Sequence, residues 1–125
     1  MLQTRSYGTV EITSIDREAL LAEIRSGAER LGREAPEVQE VGLFGSFARG
    51  DHTPESDVDL AVIVSESGVP FLERPDRYRD AFLRIPLDVN LTVYTMEEAD
   101  RLRRDRSTFL SRISAETLPL YRREV

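Results

Sequence analysis

Three carboxylates and one glycine-bracketed turn carry the chemistry that can be read in this chain. Asp57 and Asp59 stand at i and i+2 where a strand begins. Side chains alternate along a strand, so both point to one face with Cα atoms about 6.6 Å apart. Such a pair can hold a divalent cation, and repels itself without one. Mg²⁺ suits hard oxygen ligands and is often held by one or two carboxylates plus substrate phosphates. Asp88 leads a second alternating segment, Leu87 to Tyr94, with polar positions 88, 90, 92 and 94. If the two strands are neighbours, Asp57, Asp59 and Asp88 converge. Three carboxylates around two metals are the usual arrangement for in-line attack at phosphorus. Asp88 then either binds the second metal or takes the proton from an attacking hydroxyl.

The turn Gly45-Ser46-Phe47-Ala48-Arg49-Gly50 supplies the anion-binding end. Gly45 permits unusual backbone dihedrals and close approach to a phosphate. Backbone N–H groups at a new helix N-terminus bind anions. The Ser46 hydroxyl adds a hydrogen bond, and the planar fork of Arg49 reaches a terminal phosphate. Phosphate ligands beside metal ligands suit a nucleoside triphosphate.

Composition removes most rival chemistries. The chain has 125 residues, no Cys and one His, His52. Disulfides, thiolate zinc sites, a Cys nucleophile and multi-His metal sites are excluded. All 17 basic residues are Arg, so a Walker A loop and Schiff-base chemistry are excluded too. The formal charge of -6 argues against broad nucleic-acid binding. No apolar run approaches the roughly 20 residues that span a bilayer, and the first residues lack the apolar stretch of a signal peptide. These features predict a cytoplasmic chain with no membrane contact. Few Asn, Gln and Met residues, with Arg as the sole strong base, point to a thermophilic source.

The elements that must position this chemistry form one domain over 1–125. Residues 1–12 alternate loosely and read as an edge strand or a tail. Ser14 or Asp16 caps a helix bearing Leu20, Leu21, Ile24, Ala28 and Leu31 at helical spacing, ended by Gly32 and Pro36. Strands are expected at Val38–Phe44, Val58–Val64 and Leu87–Tyr94, with a short helix over 76–84. A last helix over 97–114 turns Ala99, Leu102, Phe109, Leu110 and Ile113 inward, and Leu118–Tyr121 closes as a short strand. Asp51, Glu55 and His52 read as exposed loop residues. Arg101, Arg103, Arg104 and Arg106 form a basic run, either a solvated face or a partner surface. The order is that of an α/β domain on one small sheet.

Gly45-Ser46, ten residues, then Asp57-Val58-Asp59 resembles the signature of the polymerase-β-like nucleotidyltransferase superfamily. Ala48-Arg49-Gly50 and Ser56 match its small bacterial members, the minimal nucleotidyltransferases (MNT), antitoxin partners of HEPN-domain toxins. The resemblance implies a nucleotidyltransferase fold, a small mixed sheet flanked by helices. It implies two Mg²⁺ ions, with Mn²⁺ as substitute, on Asp57, Asp59 and Asp88. Gly45 and Ser46 would bind the β and γ phosphates of ATP, with Arg49 beside them. The implied activity is transfer of AMP to a Tyr of a HEPN-type RNase toxin, which silences it. Many MNT chains carry a basic residue where Phe47 stands. That departure leaves the phosphate contact to Arg49, and Phe47 either packs in the core or stacks on a base. Two other readings stay open: a non-catalytic antitoxin acting by contact, and a small-molecule nucleotidyltransferase of the aminoglycoside-modifying kind. A chain this short expects a partner or a second copy, as a hetero- or homo-oligomer, to complete its acceptor site.

Overall fold

The computed structural model describes residues 2–7, 10–50, 52, 56–105 and 117–124. The expectations for Asp51, Glu55, Arg106, Phe109, Leu110 and Ile113 lie outside those residues. Two strands open the chain, β1 (Leu2–Tyr7) and β2 (Val10–Ile15), paired antiparallel as a separate two-stranded sheet. The segment expected as an edge strand or a tail thus holds strand structure, in a sheet separate from the main one.

Helix α1 (Arg17–Glu34) follows, with Asp16 as its N-cap accepting from the Ala19 N–H at 3.1 Å. Leu20, Ile24, Ala28 and Leu31 fall on one stripe and are buried, each large one worth roughly 1.5–3 kcal/mol. Gly32 does not end the helix, as the sequence had suggested. The helix runs two residues further, and the Ala35 N–H caps it on the Leu31 carbonyl at 2.8 Å. Gly32 is small for a packing reason: a Cβ there would overlap the Tyr121 ring.

The main sheet has the order β5-β4-β3-β6. Its members are β3 (Val38–Phe44), β4 (Val58–Val64), β5 (Val89–Thr95) and β6 (Leu118–Arg122). β3 runs antiparallel to both β4 and β6, and β4 runs parallel to β5. Alternation gives the sheet two unlike faces. Val41, Leu43, Leu60, Val62, Leu91, Val93 and Leu120 belong to one core with the apolar stripe of α1 and with Phe47, Tyr78 and Phe82. The opposite face carries Asp59, Ala61 and Ile63 of β4 and Asn90, Thr92 and Tyr94 of β5. Helix α4 (Met96–Arg104) covers its far end, where Ala99 and Ile63 are buried against Tyr94 and Leu102. β4 is apolar on both faces beyond Asp59, as a central strand must be.

Between β4 and β5, where one short helix was expected, the chain makes a 3-10 turn (Phe71–Glu73), helix α3 (Pro75–Tyr78) and a second 3-10 turn (Arg79–Phe82). Buried Arg74 fastens this crossover. It donates to the Val69 carbonyl (2.8 Å), to the outward-facing Val93 carbonyl of edge strand β5 (3.4 Å) and to Glu98 Oε1 (2.6 Å). Glu98 also closes a capping box with Thr95 at the start of α4. In the basic run, Arg101 reaches Glu97 in an exposed pair and Arg103 reaches partly buried Glu40, both at 3.6 Å. No helix of the described residues is long and apolar enough to cross a membrane.

Two stability predictions follow from these contacts. Gly32→Ala lowers stability by about 1–3 kcal/mol through overpacking, outweighing a helix-propensity gain of at most about 1 kcal/mol. In a Tyr121→Ala background the same change is neutral or stabilising, as read from urea midpoints. The hydrogen bond to Arg74 holds the Glu98 carboxyl below its ordinary value of 4.5. Its stabilisation is complete above pH 4.5 and is lost as pH falls through the lowered value of the folded state. Denaturant titrations at stepped pH give Glu98→Gln a lower plateau near neutrality and a flatter decline below pH 4.5.

Candidate active site

The site is built where β3 ends and β4 begins. Antiparallel pairing sets Phe44 opposite Asp59, so the residue after Phe44 meets the Asp59 side chain. That residue is Gly45, with φ +76° and ψ -155°, a conformation open essentially to glycine. A Cβ at 45 would also overlap Asp59 Oδ2. Two independent constraints thus require glycine, and their product is a backbone turn pressed against a carboxylate.

Helix α2 (Ser46–Arg49) is a single turn closed by Gly50 at φ +85°. The Arg49 N–H bonds the Gly45 carbonyl at 3.1 Å and the Gly50 N–H bonds the Ser46 carbonyl at 2.9 Å. Ser46 is the first residue of α2 and not its cap, so its hydroxyl is not spent on capping. A helix this short has little dipole. Ser46, partly buried, and Arg49, exposed, stand on this turn beside the carboxylates. Phe47 is fully buried in the core, which settles its role as packing. His52 stacks on it with ring centroids 4.5 Å apart and is partly buried, not the exposed loop residue expected.

Arg17, at the start of α1, grips this turn from behind. Its Nε and Nη2 donate to the Phe47 carbonyl at 3.2 and 2.9 Å. Sequence reasoning missed Arg17, since nothing local links it to a carbonyl 30 residues away.

Asp57, exposed, and Asp59, partly buried, face the same side as expected. The group between them comes from β5. Register pairs Asp59 with Asn90, and Asn90 Nδ2 donates to Asp59 Oδ1 at 3.1 Å and Asp57 Oδ2 at 3.2 Å. Both acceptors are carboxylates, so the amide nitrogen, not its oxygen, must face them. Asp88 lies one step before the Val58–Val89 pair, exposed, with its carbonyl accepting from the Val58 N–H at 2.8 Å. Among the described residues no three His, Cys, Asp or Glu side chains gather closely enough to hold a metal ion. Asp57 and Asp59 already converge on a positively polarised donor, so the pair offers oxygen ligands of the kind a divalent cation takes. The alternation of 88, 90, 92 and 94 puts Asn90 on this face with Asp88, and the register sets Asp88 opposite Asp57 and Asn90 opposite Asp59.

The nucleotidyltransferase domain family matches residues 24–116. The protein adenylyltransferase MntA of Thermococcus cleftensis is 39% identical over 59 residues, 46% of this chain and 59% of that protein. The chain spans about half the length of the curated relatives it matches. A solved structure described as "a putative nucleotidyltransferase from Sulfolobus solfataricus" is similar with a TM-score of 0.61 at 22% identity, covering 86% of this chain and 84% of that one. A toxin-antitoxin crystal structure with AMP-PNP gives 0.52 at 23% identity, over 80% and 74%. Both likenesses speak to the fold.

If Arg17 holds the phosphate-side turn, Arg17→Ala raises amide exchange at Arg49 and Gly50 about tenfold or more. A charge-assisted hydrogen bond is worth roughly 1.5–3 kcal/mol, and about 1.4 kcal/mol is a factor of ten. Exchange at Val62, in the centre of β4, stays unchanged. Unaltered exchange at Arg49 and Gly50 would show that the turn holds itself.

Proposed function

This chain belongs to the nucleotidyltransferase domain family, and from that premise we propose that it transfers AMP from ATP to a hydroxyl of a partner protein. The partner proposed is a toxin of the HEPN RNase class, silenced by the modification. The observation that carries the reading is the Gly45 turn held against Asp59, with Asp57 beside it. Phosphate donors and cation ligands thereby share one place, as a triphosphate bound with its metal requires.

The residues divide the work. Ser46, Arg49 and the backbone after Gly45 receive the β and γ phosphates. Asp57 and Asp59 hold a divalent cation, Mg²⁺ or Mn²⁺, which when bound neutralises charge on the phosphates. The acceptor oxygen bonds to the α-phosphorus as the bond to pyrophosphate breaks. Asp88, exposed at the head of β5, takes the acceptor's proton in this reading. Arg17 and Asn90 position the turn and the carboxylates. The curated relative named a protein adenylyltransferase supports AMP and a protein acceptor. The structural neighbour holding AMP-PNP in a toxin-antitoxin assembly supports ATP and a toxin. A contact-only antitoxin is the second reading, in which the chain inhibits its partner without transferring a nucleotide.

The test uses α-labelled ATP, Mg²⁺, the chain and a lysate of its source cells. Label stays on one protein band, is absent with γ-labelled ATP, and falls at least about a hundredfold with Asp57→Asn, as expected when several kcal/mol of charge stabilisation are removed. Label on a small molecule replaces the protein acceptor. No label, with the toxin inhibited stoichiometrically by both native chain and Asp57→Asn, establishes the contact-only reading.

A further inference from the structure

We propose that a cavity on the carboxylate face of the sheet seats the nucleobase, and that Glu40 at its wall reads the amino edge of the base. The inference rests on the reading of the Gly45 turn and its carboxylates as a triphosphate site. The cavity has a volume of about 330 Å³. Its floor is Gly42 of β3 with Ala61 and Ile63 of β4, and Glu40, Arg103 and Arg122 line its wall. Asp59, Ala61 and Ile63 alternate onto one face, so the floor begins about 6.6 Å along β4 from Asp59. A nucleotide with its phosphates at the turn still has its sugar and base to place, and this face leads to the cavity.

Floor and wall both suit a planar, polar-edged ring. Register sets Gly42 opposite Ala61, so the two smallest side chains lie side by side. Gly42 cannot be larger, because a Cβ there would overlap the Thr117 methyl. A cavity of this volume is in the range of small-ligand sites, which pair an apolar floor with a few placed polar groups. Here the placed group is the Glu40 carboxylate. Arg122 Nε stands 3.6 Å from its Oε1, and Arg103 Nη2 stands 3.6 Å from its Oε2. Both are ion-pair distances, too long for hydrogen bonds. They orient the carboxylate by charge and leave lone pairs for an N–H donor. The exocyclic amino group of adenine is such a donor, and guanidinium planes stack on aromatic rings. An apolar side chain seated there would use none of these groups. Glu40 is thus a specificity residue, and Ala61 sets the depth of the seat.

The experiment is titration calorimetry on the full chain with Mg²⁺. The ligands are a non-hydrolysable ATP analogue, the same analogue without its 6-amino group, and inorganic tripolyphosphate. The native chain is expected to bind the ATP analogue about tenfold or more tighter than tripolyphosphate, the usual gain from seating one base. Ala61→Leu fills the floor. It brings the ATP analogue to within about threefold of tripolyphosphate, whose own affinity stays native. Glu40→Ala erases the preference for the 6-amino group, about tenfold in the native chain, and keeps tripolyphosphate binding. An ATP analogue bound alike by native chain and folded Ala61→Leu overturns the proposal, as does native binding no tighter than that of tripolyphosphate. Equal binding of the two analogues by the native chain overturns the role of Glu40. If Ala61→Leu does not fold, Glu40→Ala decides: an intact preference for the amino group overturns the assignment. Failure of all three ligands to bind the native chain defeats the triphosphate reading itself, and is thereby distinguished.

Discussion

The turn after β3 touches Asp59 of β4, and much of the molecule serves that contact. Gly45 has to adopt a backbone conformation closed to other residues while its missing side chain makes room for Asp59. Neither condition would bring the turn to the carboxylate without the antiparallel β3–β4 pair, which brings the end of one strand to the start of the next. That pair in turn is stable because its other face is sealed by the α1 stripe and by Phe47, the largest fully buried side chain. The same short helix thus faces the core through Phe47 and the site through Ser46. Glycine adopts this backbone conformation without the steric cost another residue would meet.

A second theme is the use made of arginine. With no lysine in the chain, every strong cation is a planar five-donor fork. Several of these forks bind backbone carbonyls across the fold. Arg17 takes Phe47, Arg30 takes Ala81 (2.7 Å), and Arg74 takes Val69 and Val93. Arg123 takes Val38 (2.9 Å) and Ala35 (3.3 Å). Each joins segments distant in sequence, such as the start of α1 to the turn after β3, or the crossover to the outer edge of β5. Such clamps satisfy acceptors that would otherwise be costly where burial is partial.

How far the sequence reveals this depends on whether the determining contacts are local. Strands β3 and β4 are legible because their apolar runs and flanking glycine and proline are local facts. The Gly-Ser turn and the Asp57–Asp59 spacing are legible for the same reason. Gly32 misleads because its cause, the ring of Tyr121, lies 89 residues away by number and beside it in space. Asn90 escapes because alternation says which side chains share a face, while only register says which one meets Asp59. The first two strands escape because their partner is each other, and alternation alone does not say which strand pairs with which.

The parallel junction of β4 with β5 has a kinetic side. Asn90 meets Asp59 across 31 residues of chain, through a crossover of short helical turns. Parallel pairing of that kind forms only after its loop has closed, so it is late and slow relative to a hairpin. Until then Asp57 and Asp59 stand on an edge, unbridged and mutually repelling. The site is therefore among the last features to assemble and, by the same token, an early one to open when β5 detaches. A ligand that needs the bridged carboxylates binds only the completed sheet. Its occupancy reports folding as much as it reports chemistry.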